Sequence, residues 1–362
     1  TINVSRTQAT YQLLTESDRN APAYYTEFAE VGSYDGHWSW VPVLNNYVDA
    51  ELGPVMDWLF AQKKAEQAPS YDFEIISEVF EYGQDVIAVA IDTGAEVDAS
   101  AIPADAFAVS TTTRNPNNSN VVYEGPRAVT KAYVSDKADV GEGADSGRYI
   151  ILELAHGFGV SGASALVYSG RNYVLDMGYE VEQLKDFALK DGKVVSGASY
   201  AKTGEINRIV DEFAYGEEDG LLYRLFTPEN TAAQPLVIWL HGGGERGDNN
   251  ESQLRANMGG TAWALPENQA ERPAYVLAPQ GPNGWTNAEF DKMYALVQRM
   301  IDEGKVDASR VYVAGCSMGG GGTWNFLLRY PELFAAALPI CPAGGPTAEK
   351  VDLVKDIPLW MF

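Results

Sequence analysis

The chain has 362 residues, enough for about two domains, and its 46% hydrophobic and 11% aromatic content supports well-filled cores. With 50 acidic against 26 basic residues it carries a formal net charge of −24 and a pI near 4.4, which argues against nucleic acid or an anionic membrane as partner and fits a neutral substrate. No run of 18 apolar residues occurs, so neither a membrane span nor a signal peptide is expected within these residues. A mature secreted or cell-surface chain, the expected location, would lack one as well. The two cysteines, Cys316 and Cys341, are too few for a disulfide scaffold and are expected to be buried free thiols rather than a bridge.

From the amino terminus, residues 4 to 17 predict a helix through Val4, Tyr11, Leu13 and Leu14, followed by a short strand around Tyr24 to Phe28. A loop, Gly32-Ser33-Tyr34-Asp35-Gly36-His37-Trp38-Ser39-Trp40, leads to a second helix over Val55 to Lys63, with basic Lys63 and Lys64 at its negative end. Over 67–187 the character changes. Strand-like runs (Phe73 to Phe80, Asp85 to Ile91, Val121 to Tyr123, Ala128 to Val134, Arg148 to Leu154, Ala165 to Val167) alternate with Gly, Asn, Pro and Asp turns. That pattern predicts an antiparallel, immunoglobulin-like β-sandwich, although it has neither the paired cysteines nor the tryptophan of an antibody-type domain. Residues 188–204, with Gly192, Gly197 and Gly204, read as a connection.

Over 188–362 strands alternate with helices. Ile206 to Tyr215 and Leu221 to Phe226 form a leading antiparallel pair, and Pro235-Leu236-Val237-Ile238-Trp239-Leu240 is an apolar strand of parallel type. It ends in His241-Gly242-Gly243-Gly244-Glu245-Arg246-Gly247. Ala274 to Ala278 is a further strand, residues 287–303 an amphipathic helix closed by Gly304, and Val311 to Ala314 the strand that runs into Gly315-Cys316-Ser317-Met318-Gly319 and then a helix. The expectation is a doubly wound, mostly parallel sheet with its site at the strand carboxyl ends.

Strand, Gly-x-Ser-x-Gly and helix together are the context of a nucleophile elbow, which makes Ser317 the candidate nucleophile. The elbow strains the serine backbone, and Gly315 and Gly319 leave room where a Cβ would collide with adjacent backbone. Attack by a serine on an acyl group creates an oxyanion, for which two backbone N–H groups must converge: that of Met318 and one from Gly243 or Gly244. A phosphate loop is the alternative for the glycines, but no Gly-Lys-Ser/Thr follows. The serine also needs an imidazole. Of three histidines, His156 falls in a sandwich strand and His241 supports the glycine loop, which leaves His37. Trp285, Trp40 and Trp38 are candidate pocket walls or, equally, core aromatics. No metal or cofactor is expected.

His241 to Gly247, Ala278-Pro279-Gln280, Asp307 to Arg310, Gly315 to Gly320 and Tyr330 to Ala335 together resemble the bacterial esterases related to polyhydroxybutyrate-depolymerase-like and feruloyl esterases, sometimes labelled predicted peptidases, some of which carry an immunoglobulin-like domain. The resemblance implies an α/β hydrolase and extends to residues 1–66, where His37-Trp38-Ser39-Trp40 and Met56 to Phe60 look like that family's carboxyl end. In the family the order is serine, acid, histidine; here histidine comes first. The expectation is a rotated order, with the catalytic aspartate in a stretch between Phe362, inside a core strand, and Thr1; Asp35 is a weaker stand-in. The resemblance implies a serine esterase acting on small-molecule or polysaccharide-linked esters. The rivals are a peptidase on the same fold and a surface- or carbohydrate-binding protein with an inactive hydrolase domain.

Overall fold

Contacts along the chain separate two bodies, Thr1–Gln67 and Ala68–Phe362. The computed structural model describes residues 4–15, 23–27, 40–62, 68–103, 105–230 and 233–362. The first body contains α1 (Val4–Thr15), α2 (Trp40–Leu44), β1 (Val48–Asp49), β2 (Gly53–Pro54) and α3 (Val55–Ala61). Asp49 shapes the β1/β2 turn, its Oδ1 accepting the N–H groups of Glu51 and Leu52 at 2.9 and 3.1 Å. Of the strand expected around Tyr24 to Phe28, the described residues, 23–27, make no ladder, and Phe28 lies outside the described residues. Instead the Tyr25 ring stacks on Tyr11 and the Tyr24 ring meets Trp58 edge-on. Aromatic composition favours a strand only where a neighbour takes up the backbone groups. Lys63 and Lys64 lie outside the described residues.

The second body opens with the sandwich: β3 (Ser70–Phe80), β4 (Gly83–Asp98), β5 (Phe107–Arg114), β6 (Val121–Arg127), β7 (Val129–Ser135), β8 (Ser146–Leu154), β9 (Leu166–Tyr168), β10 (Asn172–Val174), β11 (Asp176–Gln183), β12 (Phe187–Ala188), β13 (Val194–Val195) and β14 (Ser199–Asn207). One sheet has the order β14-β3-β4-β8-β7 and the other β11-β5-β6, with β9/β10 and β12/β13 as small hairpins. Burial of β4 is nearly continuous because both of its faces are covered. Val89 and Ile91 join the core between the sheets, while Ala88 and Ala90 pack with Ile76, Tyr133 and Ile151 on the other side. Buried Arg127 ties the sandwich together: Nη1 donates to Gly162 O (2.7 Å) and to the Tyr179 hydroxyl, Nη2 to Val86 O (3.0 Å) and Ala155 O (2.9 Å).

Three expectations change here. Strands β5 and β11 were not predicted, because Ser, Thr and Glu alternate with their inward residues. The stretch read as a connection holds β14, which runs parallel beside β3, so the sandwich continues to Asn207 and is not wholly antiparallel. As an edge strand it is half solvated and carries no apolar run to announce it. The strand predicted over Ile206 to Tyr215 is divided by Ile209, whose φ of 64° turns the chain out of β14.

The hydrolase part follows with β15 (Phe213–Glu218), β16 (Leu221–Phe226), β17 (Gln234–Leu240), α4 (Ser252–Arg255), α5 (Pro266–Glu271), β18 (Tyr275–Pro279), α6 (Asn287–Asp302), β19 (Val306–Cys316), α7 (Met318–Arg329) and β20 (Ala336–Ile340). The sheet order is β15-β16-β18-β17-β19-β20; the first two pairings are antiparallel and the rest parallel. This brings the carboxyl ends of β17 to β20 to one edge. Thr286 and Glu289 close a capping box on α6, whose Phe290, Met293, Leu296, Val297 and Met300 are buried. Each such side chain contributes roughly 1.5–3 kcal/mol. Beyond β20, Pro358–Phe362 forms a further parallel ladder: Trp360 N–H donates to Ala337 O and Cys341 N–H to Phe362 O. Among the described residues this segment pairs on one side, with β20, and Trp360 and Phe362 are exposed. No described helix is long and apolar enough to cross a membrane.

Candidate active site

Ser317 stands between β19 and α7 with φ 52° and ψ −112°, a conformation that L residues rarely adopt, and it is exposed. Backbone bonds hold it there. Its N–H donates to Ile340 O at 3.0 Å, and its carbonyl accepts from Gly321 N–H (3.0 Å) and Ala343 N–H (2.9 Å). The glycines admit the close approach this requires: a Cβ on Gly319 would lie 1.9 Å from Leu240 O, and one on Gly315 would lie 2.5 Å from Gly319 O. Strain at an exposed serine, fixed from three sides, is a hallmark of functional backbone.

The end of β17, paired in register with β19 as far as Leu240 and Gly315, places the glycine loop beside the elbow. Met318 opens α7, where the first N–H groups have no intrahelical acceptor. Gly243 and Gly244 lie in a tight 3-10 turn, Gly243–Glu245. His241 anchors that loop from below and is fully buried. Its Nε2 accepts from Gly281 N–H at 2.9 Å, so Nδ1 carries the proton and donates to Gly242 O at 2.7 Å. Burial holds its pKa down at about 4, and the ring stays neutral. Both ring nitrogens are spent on backbone, so His241 is a support and not a base.

The Glu245 carboxyl is buried beside this loop. Burial pushes it above its usual range, opposed by a 2.7 Å bond from Asn172 Nδ2 and by the N–H groups of Glu245 and Gly242. Burial, with Glu245 and Cys341 nearby, pushes the Cys316 thiol up to about 11, which leaves it inert as a nucleophile at neutral pH. Cys316 and Cys341 are free thiols, as expected, but neither is fully buried: Cys316 is half-buried, and Cys341, which follows the last residue of β20, is exposed.

Of the residues singled out in the sequence, Ser317, Met318, Gly243 and Gly244 come together at the edge formed by β17 and β19. Trp285 does not form an open wall: it is 9% exposed in the core under the elbow, packs against Gly322 and donates Nε1–H to His241 O at 3.0 Å. An indole with its N–H satisfied by the loop is a support for it. His156 lies just beyond β8 rather than in it, stacked on Phe80. His37, Trp38, Asp35 and Thr1 lie outside the described residues, as does the side chain of Trp40, whose backbone opens α2. Asn172 has no place in the sequence reading, and Gln280 enters it only within the Ala278-Pro279-Gln280 motif, with no role assigned. Gln280 Nε2 holds Glu245 O at 3.0 Å, and Asn172 reaches the loop from the sandwich, a contact no local pattern announces.

Residues 72–196 match the family described as esterase Ig-like N-terminal domain, and residues 278–351, which include the elbow, match the prolyl oligopeptidase family. Poly(3-hydroxyalkanoate) depolymerase C of Paucimonas lemoignei is 32% identical over 133 residues, which are 32% of this chain and 29% of that protein, so the chain spans under a third of the depolymerase's length. A solved structure, the crystal structure of a thermostable esterase, is 32% identical with a TM-score of 0.73, covering 80% of this chain and 82% of its own. A match of that extent exceeds either domain alone and takes in sandwich and hydrolase sheet together. On that ground the chain belongs to the α/β-hydrolase esterases that carry an immunoglobulin-like domain, and is a serine ester hydrolase.

Proposed function

We propose that the chain is a carboxylesterase that cleaves short-chain or carbohydrate-linked acyl esters through a covalent intermediate on Ser317. Ser317 Oγ attacks the ester carbonyl as an imidazole takes its proton, the oxyanion is met by the N–H groups of Met318 and of Gly243 or Gly244, and the alcohol leaves with that proton. Water then repeats the sequence on the acyl-enzyme. His37 is the base in this reading: His241 has both ring nitrogens bonded to backbone, and His156 is stacked in the sandwich. The observation that carries the reading is the exposed, strained backbone of Ser317 at the mouth of the glycine loop.

Replacing Ser317 by Ala should abolish hydrolysis of p-nitrophenyl acetate and butyrate, with a fall in turnover of about 10⁶-fold as the reference for serine hydrolases. A variant that keeps more than a few per cent of the activity would sink the assignment. The prolyl oligopeptidase match over the elbow favours a second reading, a serine peptidase. Peptidyl p-nitroanilides assayed beside the esters separate the two.

A further inference from the structure

The small hairpin β9/β10 of the sandwich reaches the loop that holds Gly243 and Gly244. Asn172 Nδ2 donates to Glu245 Oε1 at 2.7 Å, Ser252 Oγ donates to Asn172 O at 3.3 Å, and Arg171 Nη1 donates to Arg246 O at 3.2 Å. The backbone is pressed against this hairpin. A Cβ on Gly244 would lie 2.8 Å from Asn172 Nδ2, whereas a Cβ on Gly243 would meet nothing within 4 Å. The turn is thus held from two sides, by Gln280 within the hydrolase part and by Asn172 from the sandwich.

We propose that the sandwich is part of the catalytic apparatus, with Asn172 a positioning residue that fixes the oxyanion-binding turn through Glu245. The proposal rests on the reading of Gly243 or Gly244 as an oxyanion donor. The buried Glu245 side chain lies against the backbone of the turn, where a Cβ on Gly242 would come within 3.1 Å of its Oε2, so the position of the carboxylate constrains the peptide planes there. A carboxylate away from water keeps that arrangement only while its acceptor sites are filled, and Asn172 fills one with a neutral amide. Lose that donor, and the carboxylate must turn or take a proton, and the turn follows it. Oxyanion donors act over a narrow range of about 2.7–3.1 Å, so a shift of a few tenths of an ångström weakens them in the transition state while substrate binding is little affected.

The test uses the whole chain and a p-nitrophenyl ester. Asn172→Ala should lower kcat by about 10-fold, less than the roughly 10²–10³ for deletion of an oxyanion donor, with KM within about twofold and the thermal midpoint near that of the parent. Asn172→Asp sets two carboxyls face to face, and they can bond only by sharing a proton. Its activity relative to the parent should therefore rise as pH falls, a trend that simple loss of stability would not produce. The double variant N172D/E245Q exchanges donor and acceptor and should restore kcat to within about threefold, by double-mutant logic. Parent-like kcat in Asn172→Ala, or a loss that the double variant leaves uncorrected, overturns the proposal while Ser317→Ala remains inactive. Activity in Ser317→Ala overturns the catalytic reading itself, and the role of Asn172 falls with it.

Discussion

One added methyl tests the elbow more sharply than any larger change. In Gly319→Ala the new Cβ would sit 1.9 Å from Leu240 O and 2.6 Å from His241 O, both of them backbone atoms that no rotamer change can move aside. To reach even 3 Å, α7 or the end of β17 must retreat by about 1 Å. Alanine in place of glycine gains up to about 1 kcal/mol of helix propensity, less at the second residue of a helix, whereas overpacking of this kind costs about 1–3 kcal/mol and occasionally more. The net expectation is destabilisation of about 1–2 kcal/mol, read as a fall of roughly 2–8 °C in thermal midpoint. Activity should suffer more than stability, since a displacement of about 1 Å at reacting groups can cost about 10²-fold in rate. Gly141→Ala is the control: it is exposed, a Cβ there meets nothing within 4 Å, and its change should stay within about 0.5 kcal/mol. Thermal unfolding and p-nitrophenyl ester turnover read both. A Gly319→Ala enzyme with the midpoint and kcat of the parent would refute the close approach of elbow and glycine loop.

Two further outcomes follow from buried polar groups. His241, held at about 4 against an ordinary 6.5, refuses a proton that the unfolded chain accepts, so its stabilisation is complete above pH 6.5 and is lost as pH falls towards 4, by roughly 3 kcal/mol. Urea unfolding at pH 7 and pH 4.5 should show a larger acid loss in the parent than in His241→Asn, and equal losses would contradict the assignment. Arg127→Ala removes the donor to the carbonyls of Val86 and Ala155 and the stronger of two donors to that of Gly162, and should cost about 3 kcal/mol in chemical unfolding; a cost under about 1 would show that water replaces the guanidinium there.

Local chemistry was legible wherever the chain alone dictates it. The apolar run of β17, the 3.6 period of α6 with Gly304 closing it, and glycines flanking a serine between strand and helix all announce themselves within a dozen or so residues. These sufficed for the fold class and for the strained turn at Ser317 with a glycine turn beside it. Edge strands did not announce themselves: β14 reads as a linker because it carries no apolar run and only its last residue is buried, and the segment from Tyr24 reads as a strand although its described residues, 23–27, join no ladder. Trp285 shows the same limit in a side chain, since an aromatic residue near a site can be wall or support and only the bond to His241 O decides.

The sequence by itself therefore determined which backbone must be strained and where glycine is needed, because those demands are met within a single turn. What meets that turn across space was decided only by the fold. Asn172 and Glu245 are 73 residues apart, and the register of β17 beside β19 with the reach of the β9/β10 hairpin brings a sandwich amide to a hydrolase carboxylate. No periodicity encodes such a pair, since its partners are set by the packing of two domains rather than by the spacing of residues along either one.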